Sequence, residues 1–147
     1  MTSRQPCVLH VEDQRGDREL MLDAFLEAGV VVESLVAGSV TQALAVLRQE
    51  PPFADVPPPT LILLDIELGA GGSGLDLLRI LKDDPVHRQT KVIVLTGHSS
   101  PPVSTACQRL GARLVQKPED WSGYAALAKM LAVELGPTDA PHPHQPG

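Results

Sequence analysis

The sequence predicts an α/β fold, a doubly wound (βα)5 unit whose five strands form one parallel sheet in the order 2-1-3-4-5. Three observations carry that expectation. Short apolar, β-branched runs alternate five times with stretches whose apolar residues recur at helical spacing. Several of the runs lack in-and-out alternation, as strands covered on both faces do. Gly, Pro or Ser marks nearly every junction, and a helix after each strand provides the crossover that parallel neighbours need.

Cys7–Val11 starts after a proline and ends at two acids, which reads as a buried strand. Asp17 or a polar neighbour opens a helix carrying Leu20, Met21, Ala24, Phe25 and Ala28 on one face, and Gly29 stops it. Val30–Ala37 reads as the second strand. Ser39 is the expected N-cap of a helix with Val40, Ala43, Leu44 and Leu47 inside, ended by Pro51-Pro52. Pro51 to Pro59 holds five prolines and reads as a stiff loop with little that packs.

Leu61-Ile62-Leu63-Leu64 then runs into Asp65, the pattern of a central strand. Gly69 to Gly74 is expected as a flexible loop before a helix through Leu75, Leu78 and Leu81. Lys91–Leu95 is the fourth strand and ends at Thr96-Gly97. Ser99 or Ser100 caps the next helix, with Pro101 and Pro102 in its first turn and Val103, Ala106, Cys107 and Leu110 inside. After Gly111, Arg113–Gln116 is a short fifth strand, followed by Lys117-Pro118 and a helix through Tyr124, Leu127, Ala128, Leu131 and Leu135. One domain, 1–135, is expected with a disordered tail, 136–147, rich in Pro and His.

Composition narrows the function classes. A chain of 147 residues suits one domain of ordinary size. Hydrophobic residues at 43% supply a core, but aromatic residues at 3% leave few platforms on which bases could stack. Twelve Lys and Arg against 18 Asp and Glu give a net charge of −6, which opposes attraction to nucleic acid or anionic lipid. No segment approaches the roughly 18 apolar residues of a membrane span, and no leader pattern opens the chain, so a soluble cytoplasmic protein is expected. Cys7 and Cys107 read as reduced, buried thiols rather than a disulfide, and His142 and His144 as exposed tail residues.

In such a sheet the functional crevice lies beyond the carboxyl ends of the strands, at the point where the strand order reverses. Those ends carry Glu12 and Asp13, Asp65, Thr96 and Lys117. Each alone has a duller explanation: turn acids, a helix cap, a structural Thr, a surface Lys. Their joint placement favours a site. Three converging carboxylates repel one another, by roughly 4 kcal/mol per unit pair at 4 Å and an effective dielectric near 20, and a dication such as Mg²⁺ relieves that. A carboxylate can also be a nucleophile toward phosphorus. Asp65, ending the most apolar strand, is the candidate, with the Lys117 ammonium and the Thr96 hydroxyl for phosphoryl oxygens and Gly97 leaving room. His10, inside a strand, reads as a packed histidine.

On these residues the sequence resembles the receiver domain of two-component response regulators, from Val8 to Leu135. Val8-Leu9-His10-Val11-Glu12-Asp13 resembles the first strand with its acidic pair, Leu61 through Asp65 the phosphoacceptor strand, and Val94-Leu95-Thr96-Gly97 and Lys117-Pro118 the switch threonine and lysine. The resemblance implies a CheY-like, flavodoxin-like fold and a Lys117–Pro118 bond in cis. It implies Mg²⁺ on Asp13, Asp65 and the Glu67 carbonyl, with Glu12 acting through water. It also implies phosphoryl transfer from a sensor histidine kinase to Asp65 and a switch in protein contacts rather than turnover of a substrate.

Two stretches, the long first loop Gln14–Arg18 and Leu81-Lys82-Asp83-Asp84-Pro85, are similar to single-domain regulators paired with bacteriophytochromes, which often form homodimers. Two departures stand out: Gly69 where the family commonly has proline, in a loop one residue longer, and Leu114 where many receivers carry an inward-turning Tyr or Phe. Three other functions compete. A haloacid-dehalogenase-type phosphohydrolase needs a second Asp where Glu67 stands, and a flavodoxin-like FMN carrier needs a phosphate loop where Glu12-Asp13-Gln14 would repel phosphate. A phosphate-independent adaptor would not need the intact residue set.

Overall fold

The computed structural model describes residues 5–98 and 100–136. Five parallel strands, β1 (Cys7–Val11), β2 (Glu33–Ala37), β3 (Leu61–Asp65), β4 (Lys91–Thr96) and β5 (Arg113–Gln116), form one sheet in the order 2-1-3-4-5. The crossovers contain α1 (Arg15–Glu27), α2 (Val40–Leu47), α3 (Gly74–Lys82) and α4 (Pro101–Arg109), and α5 (Trp121–Leu135) follows β5.

Strand periodicity divides the core. Leu9, Val11, Ile62, Leu64, Val92 and Val94 pack with Ala43, Val46 and Leu47 of α2, Leu77, Leu78 and Leu81 of α3, and Cys107 of α4. The alternate residues Val8, Leu61, Leu63, Ile93 and Leu95 pack with Met21, Ala24 and Phe25 of α1 and with Tyr124, Leu127, Ala128 and Leu131 of α5. Because successive strand side chains point to opposite faces, an unbroken apolar run such as Leu61–Leu64 feeds both layers. Cys7 and Cys107 are both free and buried, and burial pushes the Cys7 thiol up to about 11, with Glu33 adding to it.

Several boundaries differ from the sequence expectation. The expected strand Val30–Ala37 begins only at Glu33, because Val30 belongs to the turn that closes α1. Gly29 has φ +72°, Val30 N–H donates to the Phe25 carbonyl at 2.9 Å, and the Val30 side chain seals the helix end. Helix α1 begins at Arg15, so the long loop expected over Gln14–Arg18 is its first turn. In α3, Leu77 is fully buried and Leu75 only half-buried. The proline-rich loop does pack, since Phe53 and Val56 lie against the α2 and α3 layer. Among the described residues the cis bond is Pro51–Pro52, not the expected Lys117–Pro118. Ser39 caps α2 as expected, its Oγ accepting from Gln42 N–H at 3.0 Å. Ser100 is the N-cap residue of α4, while Ser99 and tail residues 137–147, with His142 and His144, lie outside the described residues.

Candidate functional site

The carboxyl ends of β1 and β3 bring Glu12, Asp13 and Asp65 together: one oxygen from each lies within 4.8 Å of the others. Glu12 and Asp65 are buried and Asp13 is half-buried. Lys117, carried just past β5, reaches across the sheet to this group. Its Nζ lies 2.7 Å from Asp65 Oδ2, 2.9 Å from Glu12 Oε1 and 3.6 Å from Asp17 Oδ2. Asp65 Oδ1 accepts the Glu67 N–H at 2.9 Å, which pins the carboxylate between lysine and loop.

Backbone packing explains how the loop after β3 comes so close. Gly74 lies against the Asp65 carbonyl, where any Cβ would collide with main chain. Gly69 has φ +56°, and a Cβ there would stand 3.2 Å from Asp13 Oδ2. Proline, held near φ −65°, cannot adopt that conformation, so glycine and the 3₁₀ turn Gly69–Gly71 are a coherent departure from the usual pattern. The stretch expected to be flexible is thus structured.

Among the described residues a single ammonium, that of Lys117, faces these carboxylates. Burial pulls it down, but its hydrogen bond to Asp65 and its pairing with the Glu12 carboxylate outweigh burial and hold it above the ordinary lysine range. Burial pushes Glu12 up, to about 7, with Asp65 adding to the shift and the Lys117 ammonium and Gln14 N–H opposing it. Glu12 Oε2 accepts the Gln14 N–H at 3.0 Å, whereas its buried Oε1, although beside Lys117, accepts no aligned hydrogen bond among the described residues. A buried carboxylate oxygen without an aligned donor, next to two more carboxylates, fits a hard dication with oxygen ligands.

Thr96, buried at the end of β4, makes no side-chain hydrogen bond to Asp65. Its hydroxyl donates to the His98 carbonyl at 2.9 Å and lies 3.2 Å from the His98 N–H, while its own carbonyl accepts the Lys117 N–H at 2.8 Å. Glu67 is exposed, and its Oε1 is 3.6 Å from where a Gly97 Cβ would stand, so the space left by Gly97 opens beside that carboxylate. Leu114 is half-buried against the α4 side of the core.

The family model for the response regulator receiver domain matches residues 8–127. The chain belongs to this family. The receiver is 30% identical over 89 residues to response regulator Rcp1 of Synechocystis, 60% of each chain, so the match spans less than two thirds of that relative. In fold, this receiver is similar to the phosphorylated cyanobacterial phytochrome response regulator RcpA, with TM-score 0.81 and 24% identity over 93% of this chain and 100% of that one. The Mn²⁺-bound form of Rcp1 superposes with TM-score 0.80 and 23% identity over 93% of this chain and 99% of the other. These likenesses agree with the sheet order and helix placement of this receiver.

The sequence missed two residues of the receiver's site. Tyr124 is completely buried and donates its hydroxyl to Asp17 Oδ1 at 3.0 Å, and Asp17 in turn faces Lys117. The signal was present: the chain's single tyrosine stands in an apolar helical stripe, where a buried hydroxyl needs a partner.

Proposed function

We propose that this receiver acts as a response regulator in a two-component phosphorelay, with Asp65 accepting a phosphoryl group from the phosphohistidine of a sensor kinase. The observation that carries the reading is the buried Asp65 carboxylate, 2.7 Å from Lys117 and grouped with Glu12 and Asp13. Asp13, Asp65 and the Glu67 carbonyl would hold Mg²⁺, with Glu12 acting through water; when bound, the ion neutralises the acidic cluster and the incoming phosphoryl charge.

An Asp65 oxygen attacks phosphorus, the bond from phosphorus to the histidine nitrogen breaks, and the departing imidazole keeps that electron pair. Lys117 neutralises one phosphoryl oxygen. Thr96 donates to another after giving up its bond to His98, which would tie phosphorylation to the β4–α4 loop. Slow hydrolysis of the acyl phosphate resets the protein, so the chain catalyses only its own modification.

The test is labelling by acetyl phosphate with MgCl₂. Wild-type protein is expected to acquire an acid-stable, base-labile label that Asp65→Asn lacks; the same label on the variant would show the nucleophile to be another residue. Turnover of small phosphomonoesters would instead favour a phosphohydrolase, and identical partner binding by wild type and Asp65→Asn an adaptor.

The kinase is proposed to be a bacteriophytochrome, by analogy with the phytochrome regulator RcpA. Phosphotransfer profiling against candidate kinases tests this. Homodimerisation is part of the same reading, and a monomer mass by light scattering with and without a phosphate mimic would remove it. No described helix is long and apolar enough to cross a membrane, and we place the protein in the cytoplasm with its kinase.

A further inference from the structure

Resting on the assignment of Asp65 as acceptor and Lys117 as the cation that meets the phosphoryl group, we propose that Asp17 and Tyr124 are positioning residues for the transfer. Tyr124 fixes Asp17, and Asp17 keeps the ammonium aimed at the acceptor. The two oxygens of Asp17 have separate roles. Oδ1 accepts the Tyr124 hydroxyl at 3.0 Å, and Oδ2 stands 3.6 Å from Lys117 Nζ. A hydrogen bond at one oxygen restrains the turning of the carboxylate, which keeps the other oxygen on the side of the ammonium.

The other two carboxylates on Lys117 behave differently. Glu12 and Asp65 both belong to the cluster that fits a dication, so their hold on the lysine changes when that cluster is filled or when Asp65 is modified. Asp17 faces Lys117 from outside that cluster. It also lies in the first turn of α1, where an acid ordinarily faces water or caps the helix, yet it turns inward, and the residue at the N-cap, Gln14, makes no side-chain cap bond. Tyr124 comes from α5, so a continuous chain of contacts runs from α5 through α1 to Lys117 and Asp65. The packing of α1 on α5 thereby sets where the lysine points.

The experiment follows Asp65 phosphorylation by acetyl phosphate with MgCl₂, using intact-protein mass spectrometry, in wild type, Tyr124→Phe, Asp17→Asn and the double variant. Thermal melts beforehand define a temperature at which each is folded. Tyr124→Phe is expected to lower the rate at saturating donor by about threefold to tenfold, the weight of one hydrogen bond, with the half-saturating donor concentration and the Mg²⁺ titration unchanged. Asp17→Asn, which keeps an acceptor for the tyrosine but removes the charge, is expected to lose at least as much. The double variant should match Asp17→Asn, because the hydroxyl acts through the carboxylate.

Wild-type rates in either folded single variant, or effects that multiply in the double variant, would overturn the proposal while leaving Asp65 as the acceptor. A wild-type protein that takes no label would remove the acceptor assignment and this inference together. If Tyr124→Phe fails to fold, Asp17→Asn alone decides.

Discussion

Between the sheet and α2, α3 and α4 the core from Ala43 to Cys107 is apolar and the buried histidine beside it has a partner, whereas the layer under α1 and α5 encloses the Tyr124 hydroxyl and a histidine without one. Two histidines make the contrast concrete. His87, near the end of α2, has its Nε2 3.2 Å from the Leu47 carbonyl, while His10 in β1 is more fully enclosed and its Nε2 has no partner among the described residues. Lys117, Asp17 and Arg18 all act on His10 electrostatically. One side of the sheet thus stabilises by ordinary packing, and the other accepts incompletely partnered polar groups near the acidic site. Buried polar groups that miss partners are costly, and they gather where a site needs charge.

Substitutions can break this contrast. The largest effect is expected from Lys117→Met, which removes the ammonium from between buried carboxylates: about 3–5 kcal/mol of stability, as when one partner of a buried pair is lost. Urea unfolding with and without MgCl₂ checks this, and Mg²⁺ should restore part of the loss. On the apolar side, Leu78→Ala should cost about 2–5 kcal/mol in the same assay, while Mg²⁺-dependent labelling of the folded protein stays intact.

His10 sharpens the comparison through pH. Burial keeps its ring neutral and lowers the pKa from 6.5 to about 4, with Lys117 adding to the shift. Between those values the unfolded chain takes up a proton that the folded chain refuses. This contribution is therefore complete above pH 6.5 and falls away toward pH 4, a change on the order of 3 kcal/mol. The loss of unfolding stability between pH 6.5 and pH 4 should be smaller by that amount in His10→Leu, and an unchanged loss would mean that the ring titrates freely in the fold. The smallest effect is expected from Leu114→Ala, about 1–2 kcal/mol for a half-buried leucine, with phosphorylation-dependent partner contacts kept, since no ring is there to swing; loss of those contacts would put the coupling through this side chain.

How far the sequence could be read follows from the same division. Apolar runs announced all five strands, most plainly β1, β3 and β4, where burial on both faces leaves an uninterrupted pattern, and of the residues expected at the strand ends the fold brings Glu12, Asp13, Asp65 and Lys117 together while the Thr96 hydroxyl is bonded to His98. Val30 misled because a residue that closes a helix and one that begins a strand are equally apolar. Asp17 was read as a helix opener because composition does not say which way a first-turn acid faces. The order within Gly69–Gly74 was hidden because glycine signals freedom equally well when it permits close approach to Asp65 and Asp13.

The main-chain bond from Lys117 to the Thr96 carbonyl gives the outer half of the sheet a particular kinematics. The lysine is laced to the residue whose hydroxyl the proposed transfer would draw away from His98, so a displacement of either backbone would pull on the other. A signal written at the acceptor would then reach α4 and α5 as one coordinated shift of two neighbouring strand ends, not as two independent messages.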